Sequence, residues 1–219
     1  MGTKAVELGS GYGSGSRYLA VNFGATVHCV DLSQEANDLN RRLTEEAGLS
    51  HLVKVGAPST FFGTGLPGGS FGFCFSQDAL CHAGRQTPKA LEEAARLLSP
   101  GGVLACTNIL RSEEATAEEL EEVLVRLQVN HLETRDSFVE HARAAGLELL
   151  ESLDKTTSMA THFQTLIEVS IYPWFSSRLL GLRSASVSII HMHNFFAVCT
   201  NEIDEKHYIL QSQRRAAGP

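Results

Sequence analysis

Apolar positions in this chain fall in short runs rich in β-branched and aromatic residues, separated by amphipathic stretches, and that alternation predicts strands interleaved with helices. Lys4–Leu8 is the first such run; it ends in a glycine-rich turn, behind which Ser16–Phe23 has helical character. Ala25–Leu32 reads as a second strand. Ser33 then offers an N-cap, Ala36, Leu39, Leu43 and Ala47 recur at helical spacing, and Gly48 supplies a stop. Leu52–Val55 is a weaker third strand, Gly56–Ser70 is loop because Gly, Pro, Ser and Thr crowd it, and Phe71–Ser76 is a fourth strand. Pro88 opens a helix with Leu91, Ala94, Ala95 and Leu98 on one face, and Ser99-Pro100-Gly101-Gly102 turns the chain into a fifth strand, Val103–Thr107. Glu113–Val129 sets an acidic face opposite Leu120, Val123, Leu124 and Leu127, the pattern of a solvated amphipathic helix. Asp136 is the expected cap of the next helix, Gly146 its stop, and Leu147–Leu153 the strand that follows. Such alternation implies right-handed βαβ crossovers and an α/β fold: a doubly wound, mostly parallel, Rossmann-like sheet.

A length of 219 residues fits one domain able to bury its own core. With 43 % hydrophobic and 20 % charged residues the chain is neither disordered nor fibrous. Eighteen basic against twenty-five acidic residues give a net charge of −7, which points to a small-molecule partner rather than nucleic acid or an anionic membrane. No signal-peptide pattern opens the chain, and the nearest candidate for a membrane span, Ala185–Cys199, is broken by His191, His193 and Asn194. The expectation is a cytoplasmic protein, with no sequence feature that sets an oligomeric state. Cys29, Cys74, Cys81, Cys106 and Cys199 lack CxxC spacing and read as inert buried thiols. His191 and His193 would point the same way on a strand, but no third ligand is near in sequence, so no metal is expected. Trp174, Phe175, Phe195 and Phe196 read as packing residues, with an aromatic cage for a methylated ammonium as the alternative.

The chemistry gathers at the first strand's loop, Glu7-Leu8-Gly9-Ser10-Gly11-Tyr12-Gly13-Ser14-Gly15. In an open α/β sheet ligands bind beyond the carboxyl ends of the strands where strand order reverses, and glycines there admit a ligand against the backbone. Asp31 ends the second strand twenty-two residues after Gly9, close to the spacing of a carboxylate that accepts ribose hydroxyls. A dinucleotide fingerprint read from Gly9 needs a third glycine where Ser14 stands, which disfavours NAD.

The pattern found, an acid two residues before G-x-G-x-G, resembles the first motif of class I S-adenosylmethionine-dependent methyltransferases. Phe75-Ser76-Gln77-Asp78-Ala79-Leu80-Cys81-His82 is similar to the S-Q-D-A-x-x-H segment of sarcosine/dimethylglycine methyltransferases and to S-R-D-A-x-x-H of phosphoethanolamine methyltransferases. Asp31-Leu32-Ser33-Gln34 also fits the family, and the resemblance runs from Ala5 to Val169. It implies a methyltransferase domain over residues 1–169, of the seven-stranded type, followed by a divergent segment 170–219 packed on the same domain. It implies S-adenosyl-L-methionine as cofactor, held by Glu7, Gly9, Ser10, Gly11, Gly13, Asp31, Leu32, Gln34, Ala57 and Gln77, with Glu7 helping to orient the cofactor's ammonium group.

The chain departs from the family in three ways. It starts almost at the first strand, where the family has an N-terminal helical lid. Ala57 and Gly72 stand where the family carries an acid or Ser near the adenine and an acid before the fourth strand. After Val169 the closing antiparallel hairpin is not recognisable, and Ile189–Cys199 is the expected last strand.

Methyl transfer from a sulfonium expels a neutral thioether, so alignment of nucleophile, methyl carbon and sulfur is most of the work. An amine acceptor must arrive unprotonated. His82 is the expected acceptor of that proton, and Asp78 the group that orients the amine or attracts its cation. Four residues apart, the two are expected on one face of a short helix, as the catalytic pair. The function implied is N-methylation of a small amine such as sarcosine or dimethylglycine; the alternatives are a phosphoethanolamine, thioether or hydroxyl acceptor, or a non-catalytic relative of the family.

Overall fold

A computed structural model describes residues 2–157, together with the strands Met192–Phe195 and Ile209–Ser212. Strands β1 (Lys4–Leu8), β2 (Thr26–Val30), β3 (Val53–Val55), β4 (Phe71–Gln77) and β5 (Leu98–Arg111) pair in parallel in the order β3-β2-β1-β4-β5. Helices α1 (Ser14–Phe23), α2 (Gln34–Glu46) and α3 (Thr87–Leu97) carry crossovers between them. Strand order reverses between β1 and its neighbours β2 and β4, so the carboxyl end of β1 lies at the switch point.

Beyond β5 come α4 (Ala117–Leu127), α5 (Arg135–Ala144) and β6 (Leu147–Leu149). β7 (Met192–Phe195) and β8 (Ile209–Ser212) both run antiparallel to β5, and β8 is seated between β5 and β6. β7 falls inside the stretch expected as the last strand, whereas β8 lies beyond it. Its segment, Ile209-Leu210-Gln211-Ser212, is too short to carry a periodicity of its own.

Local chemistry accounts for the boundaries. The Ser33 side chain caps α2 by accepting from Ala36 N–H, and Gly48 turns with a φ of +69°. Thr116 and Glu119 form a capping box that starts α4 later than the acidic pattern suggested. Thr134, not Asp136, caps α5: its hydroxyl accepts from Ser137 N–H, and Ser137 Oγ in turn receives the Thr134 N–H, leaving Asp136 in the first turn. Leu98, expected on the face of α3, has extended backbone and opens β5 instead. The Ser99–Gly102 turn survives as an excursion within β5, because Phe71 pairs with Leu98 but Phe73 pairs with Val103.

The main core joins the β1, β4 and β5 strands to α3 and α5 through Val6, Leu8, Cys74, Leu91, Leu97, Leu104 and Phe138 among others. On its rim Glu93 accepts two bonds from Arg96, at 2.6 and 2.7 Å, and two from Thr64, at 2.8 Å from the backbone and 2.6 Å from the hydroxyl. Arg96 also donates to Leu66 O, so one ion pair on α3 gathers the Gly56–Ser70 loop. Cys29, Cys74, Cys81 and Cys106 are buried free thiols, as the sequence suggested, while Cys199, Trp174 and His191 lie outside the described residues. Among the described residues no helix is long and apolar enough to cross a membrane, and no cluster of three metal-ligating side chains forms.

Candidate active site

The loop after β1 is shaped by three glycines in the left-handed region, Gly9 (φ +75°), Gly11 (φ +48°) and Gly13 (φ +75°). Each has a separate reason to lack a side chain. A Cβ on Gly9 would sit 2.2 Å from the Ala79 Cβ, and one on Gly13 would run into Asn40. Around Gly11 nothing lies within 4 Å of that position, so the backbone there faces open space. The amides of Gly9 and Ser10 both donate to Val30 O, at 2.8 and 3.0 Å, which ties the loop to the end of β2.

Asp31 is the hinge of this arrangement. One carboxylate oxygen accepts from Gly11 N–H at 2.7 Å and the other from Ser33 N–H at 2.9 Å. Its backbone carbonyl accepts from Ser59 N–H and from the Asn37 side chain. A partly exposed carboxylate is thereby fixed beside the glycine loop. Leu32 next to it is 68 % exposed and Tyr12 in the loop 59 %, two apolar surfaces left uncovered at the switch point. Ser10 Oγ is buried there beside the Cys29 thiol.

Glu7 lies differently from the loop residues. It is buried beneath the loop, where Ser16 Oγ on α1 donates to Glu7 Oε2 and a Gly15 Cβ would collide with Oε1. Burial raises its carboxyl from the usual 4.5 to about 7, against the opposing bond from Ser16. Gln34 turns its amide along α2 to Asp38, and Ala57 and Gln77 are exposed.

On the other side of Gly9, Ser76 Oγ donates to Leu8 O at 2.8 Å and locks β4 to β1. Asp78 follows β4 in the left-handed region, with a φ of +49°, a conformation costing a non-glycine residue about 1–2 kcal/mol that Asp tolerates better than most. Its N–H is shared between Thr107 O at 3.1 Å and Thr107 Oγ1 at 2.8 Å, and the Thr107 hydroxyl donates to Asp78 Oδ1 at 2.8 Å.

Asp78 and His82 do not share a helical face. Asp78 precedes a 3₁₀ segment, Leu80–Gln86, broken by a kink at Gly84; in its first turn His82 is exposed and its N–H donates to Ala79 O. Three residues per turn, rather than 3.6, separates positions four apart by about a third of a turn. The turn brings both residues to the carboxyl end of β4, but as neighbours along a bend.

Three contributors escaped the sequence reading. Arg17 reaches from α1 to Tyr12 O at 2.8 Å and to Asn40 Oδ1 at 3.2 Å, fastening the loop to α2. Asn40 packs under Gly13, and Thr107 holds Asp78 from β5. The Arg17–Asn40 and Thr107–Asp78 bonds each join positions more than 20 residues apart, so no local motif announces them.

Residues 6–106, which contain the loop, Asp31 and the Asp78 turn, match the model of a methyltransferase domain. This segment belongs to that family. The chain is 32 % identical over 167 residues to the glycine/sarcosine/dimethylglycine N-methyltransferase of Actinopolyspora halophila, a match covering 76 % of this chain and 29 % of that protein. It is 30 % identical over 167 residues to the sarcosine/dimethylglycine N-methyltransferase of Aphanothece halophytica, covering 76 % of this chain and 60 % of that one. The matched region thus spans less than two thirds of either relative. In fold, the chain matches a crystal structure from Galdieria sulphuraria, provisionally assigned as a sarcosine dimethylglycine methyltransferase, with a TM-score of 0.81 at 21 % identity over 96 % of this chain and 79 % of the other.

Proposed function

We propose that this chain is an S-adenosylmethionine-dependent methyltransferase that transfers a methyl group to the nitrogen of a small amine such as sarcosine or dimethylglycine. The observation that carries the cofactor reading is the Asp31 carboxylate, fixed from two backbone amides beside the open Gly11 backbone. In this reading Gly9, Ser10, Gly11 and Gly13 form the bed, Asp31 accepts the ribose hydroxyls, and the exposed faces of Leu32 and Tyr12 take the adenine. Bound there, the cofactor supplies an electrophilic methyl on a sulfonium.

The chain's own part is to bind, orient and deprotonate. Asp78 attracts and orients the amine, and exposed His82 accepts its proton, since an ammonium has no lone pair to attack with. Direct contact between Gly9 and Ala79 puts the cofactor loop and the acceptor turn side by side, as in-line transfer requires. Similarity to N-methyltransferases of sarcosine and dimethylglycine supports this acceptor class.

Calorimetry with S-adenosylmethionine and S-adenosylhomocysteine, followed by an amine panel read by mass spectrometry, tests the reading. Asp31→Ala is expected to weaken S-adenosylhomocysteine binding more than tenfold, because charge-assisted hydrogen bonds contribute about 1.5–3 kcal/mol. Unchanged binding by that variant, or a wild type that prefers NAD, would overturn it.

A further inference from the structure

We propose that Thr107, at the carboxyl end of β5, is the positioning residue of the acceptor side: its hydroxyl sets the direction of the Asp78 carboxylate and so the affinity for a cationic or amine acceptor. The inference rests on the amine-methyltransferase reading above. Three observations carry it. Thr107 is 1 % exposed, so its hydroxyl is placed by the sheet and not by solvent. That hydroxyl meets Asp78 twice, accepting its N–H at 2.8 Å and donating to its Oδ1 at 2.8 Å. Asp78 itself stands at a φ of +49°, a backbone state that persists only where its surroundings hold it.

The β4–β5 register explains why the contact forms. Gln77 pairs with Thr107, so the strand that delivers Asp78 ends directly opposite the residue that fixes it. Ser76, on the other face of β4, ties the same strand end to β1, and the Asp78 turn is therefore gripped from both neighbouring strands. A rotated Asp78 carboxylate would still attract a cation but no longer meet it in line with the cofactor. Thr107 touches neither partner of the reaction in this scheme and acts wholly through Asp78.

Thr107→Val keeps the shape and removes the hydroxyl, whereas Thr107→Ser keeps the hydroxyl. With sarcosine and dimethylglycine as probes, Thr107→Val is expected to lower kcat/KM for the amine about tenfold or more, leaving the S-adenosylhomocysteine Kd within about twofold. Thr107→Ser is expected to stay within about threefold of wild type. In an Asp78→Asn background Thr107→Val should add little, since the two act as one unit. The Asp78 amide, followed by NMR hydrogen exchange, should lose part of its protection in Thr107→Val, where only the backbone carbonyl of position 107 still accepts it, and keep it in Thr107→Ser, which reads positioning without any turnover. Wild-type transfer with Thr107→Val unaffected, or equal damage from Val and Ser, overturns the role of Thr107 alone. A wild type that binds S-adenosylhomocysteine yet methylates no amine overturns the acceptor reading, and the role of Thr107 with it.

Discussion

Glu7 is a carboxylic acid placed where charge is costly. Its pKa of about 7 in the folded chain, against 4.5 when exposed, means that the folded state holds a proton which the unfolded state has released. Folding is therefore favoured by this group below pH 4.5, and that contribution declines as pH rises and is lost through pH 7. Glu7→Gln keeps an acceptor for Ser16 and carries no titrating proton, so its melting temperature is expected to fall less than that of wild type between pH 5 and 8. Thermal melts of the two proteins at matched ionic strength measure the difference; parallel curves would mean that Glu7 is solvated. Glu93 behaves in the opposite sense. The bidentate Arg96, with Thr64, holds its carboxyl down to about 2, so its contribution is present above pH 4.5 and lost as pH falls through 2.

Glu93 matters most through the element it controls. The Gly56–Ser70 loop has no secondary structure of its own, and bonds from Thr64 and Arg96 give it a fixed path over the core. Glu93→Gln is expected to leave the sheet folded while the loop opens, seen as cleavage within residues 56–70 at low protease concentration where wild type resists. What could be read from the sequence divides along the same line. The glycine loop, the Ser33 cap, the Gly48 and Gly146 stops and Asp31 at a strand end announce themselves within a few neighbouring residues. The Glu93–Thr64 and Thr107–Asp78 bonds each join positions 29 apart, and they exist only once strand order and register have brought the partners together. The Asp78–His82 spacing misled for a related reason: i,i+4 places two side chains on one face only if the helix is α, and here Asp78 takes a positive φ and the turn is 3₁₀. The Thr134 cap was outcompeted in the pattern by Asp136, though Thr134 has Ser137 three residues on to complete its box.

At the scale of the molecule, the site depends on one continuous core under β1, β4 and β5. Leu91 on α3 is fully buried in it, so Leu91→Ala is expected to cost about 2–5 kcal/mol, measured by urea denaturation, and to weaken cofactor and acceptor binding together only as far as the fold is lost. Loss of one binding function before the other would mean that the two halves of the site rest on separate supports. The closeness of Gly9 and Ala79 has an evolutionary side as well. A lineage that drifts toward a new acceptor has little freedom at Gly9, since a Cβ there would collide with the Ala79 methyl. In the proposed reading, a change of acceptor would act through the exposed neighbours Gln77 and His82 or through Asp78. In that reading, a contact with no reactive atoms would confine a change of substrate to a few outward-facing positions and leave the glycine loop unchanged.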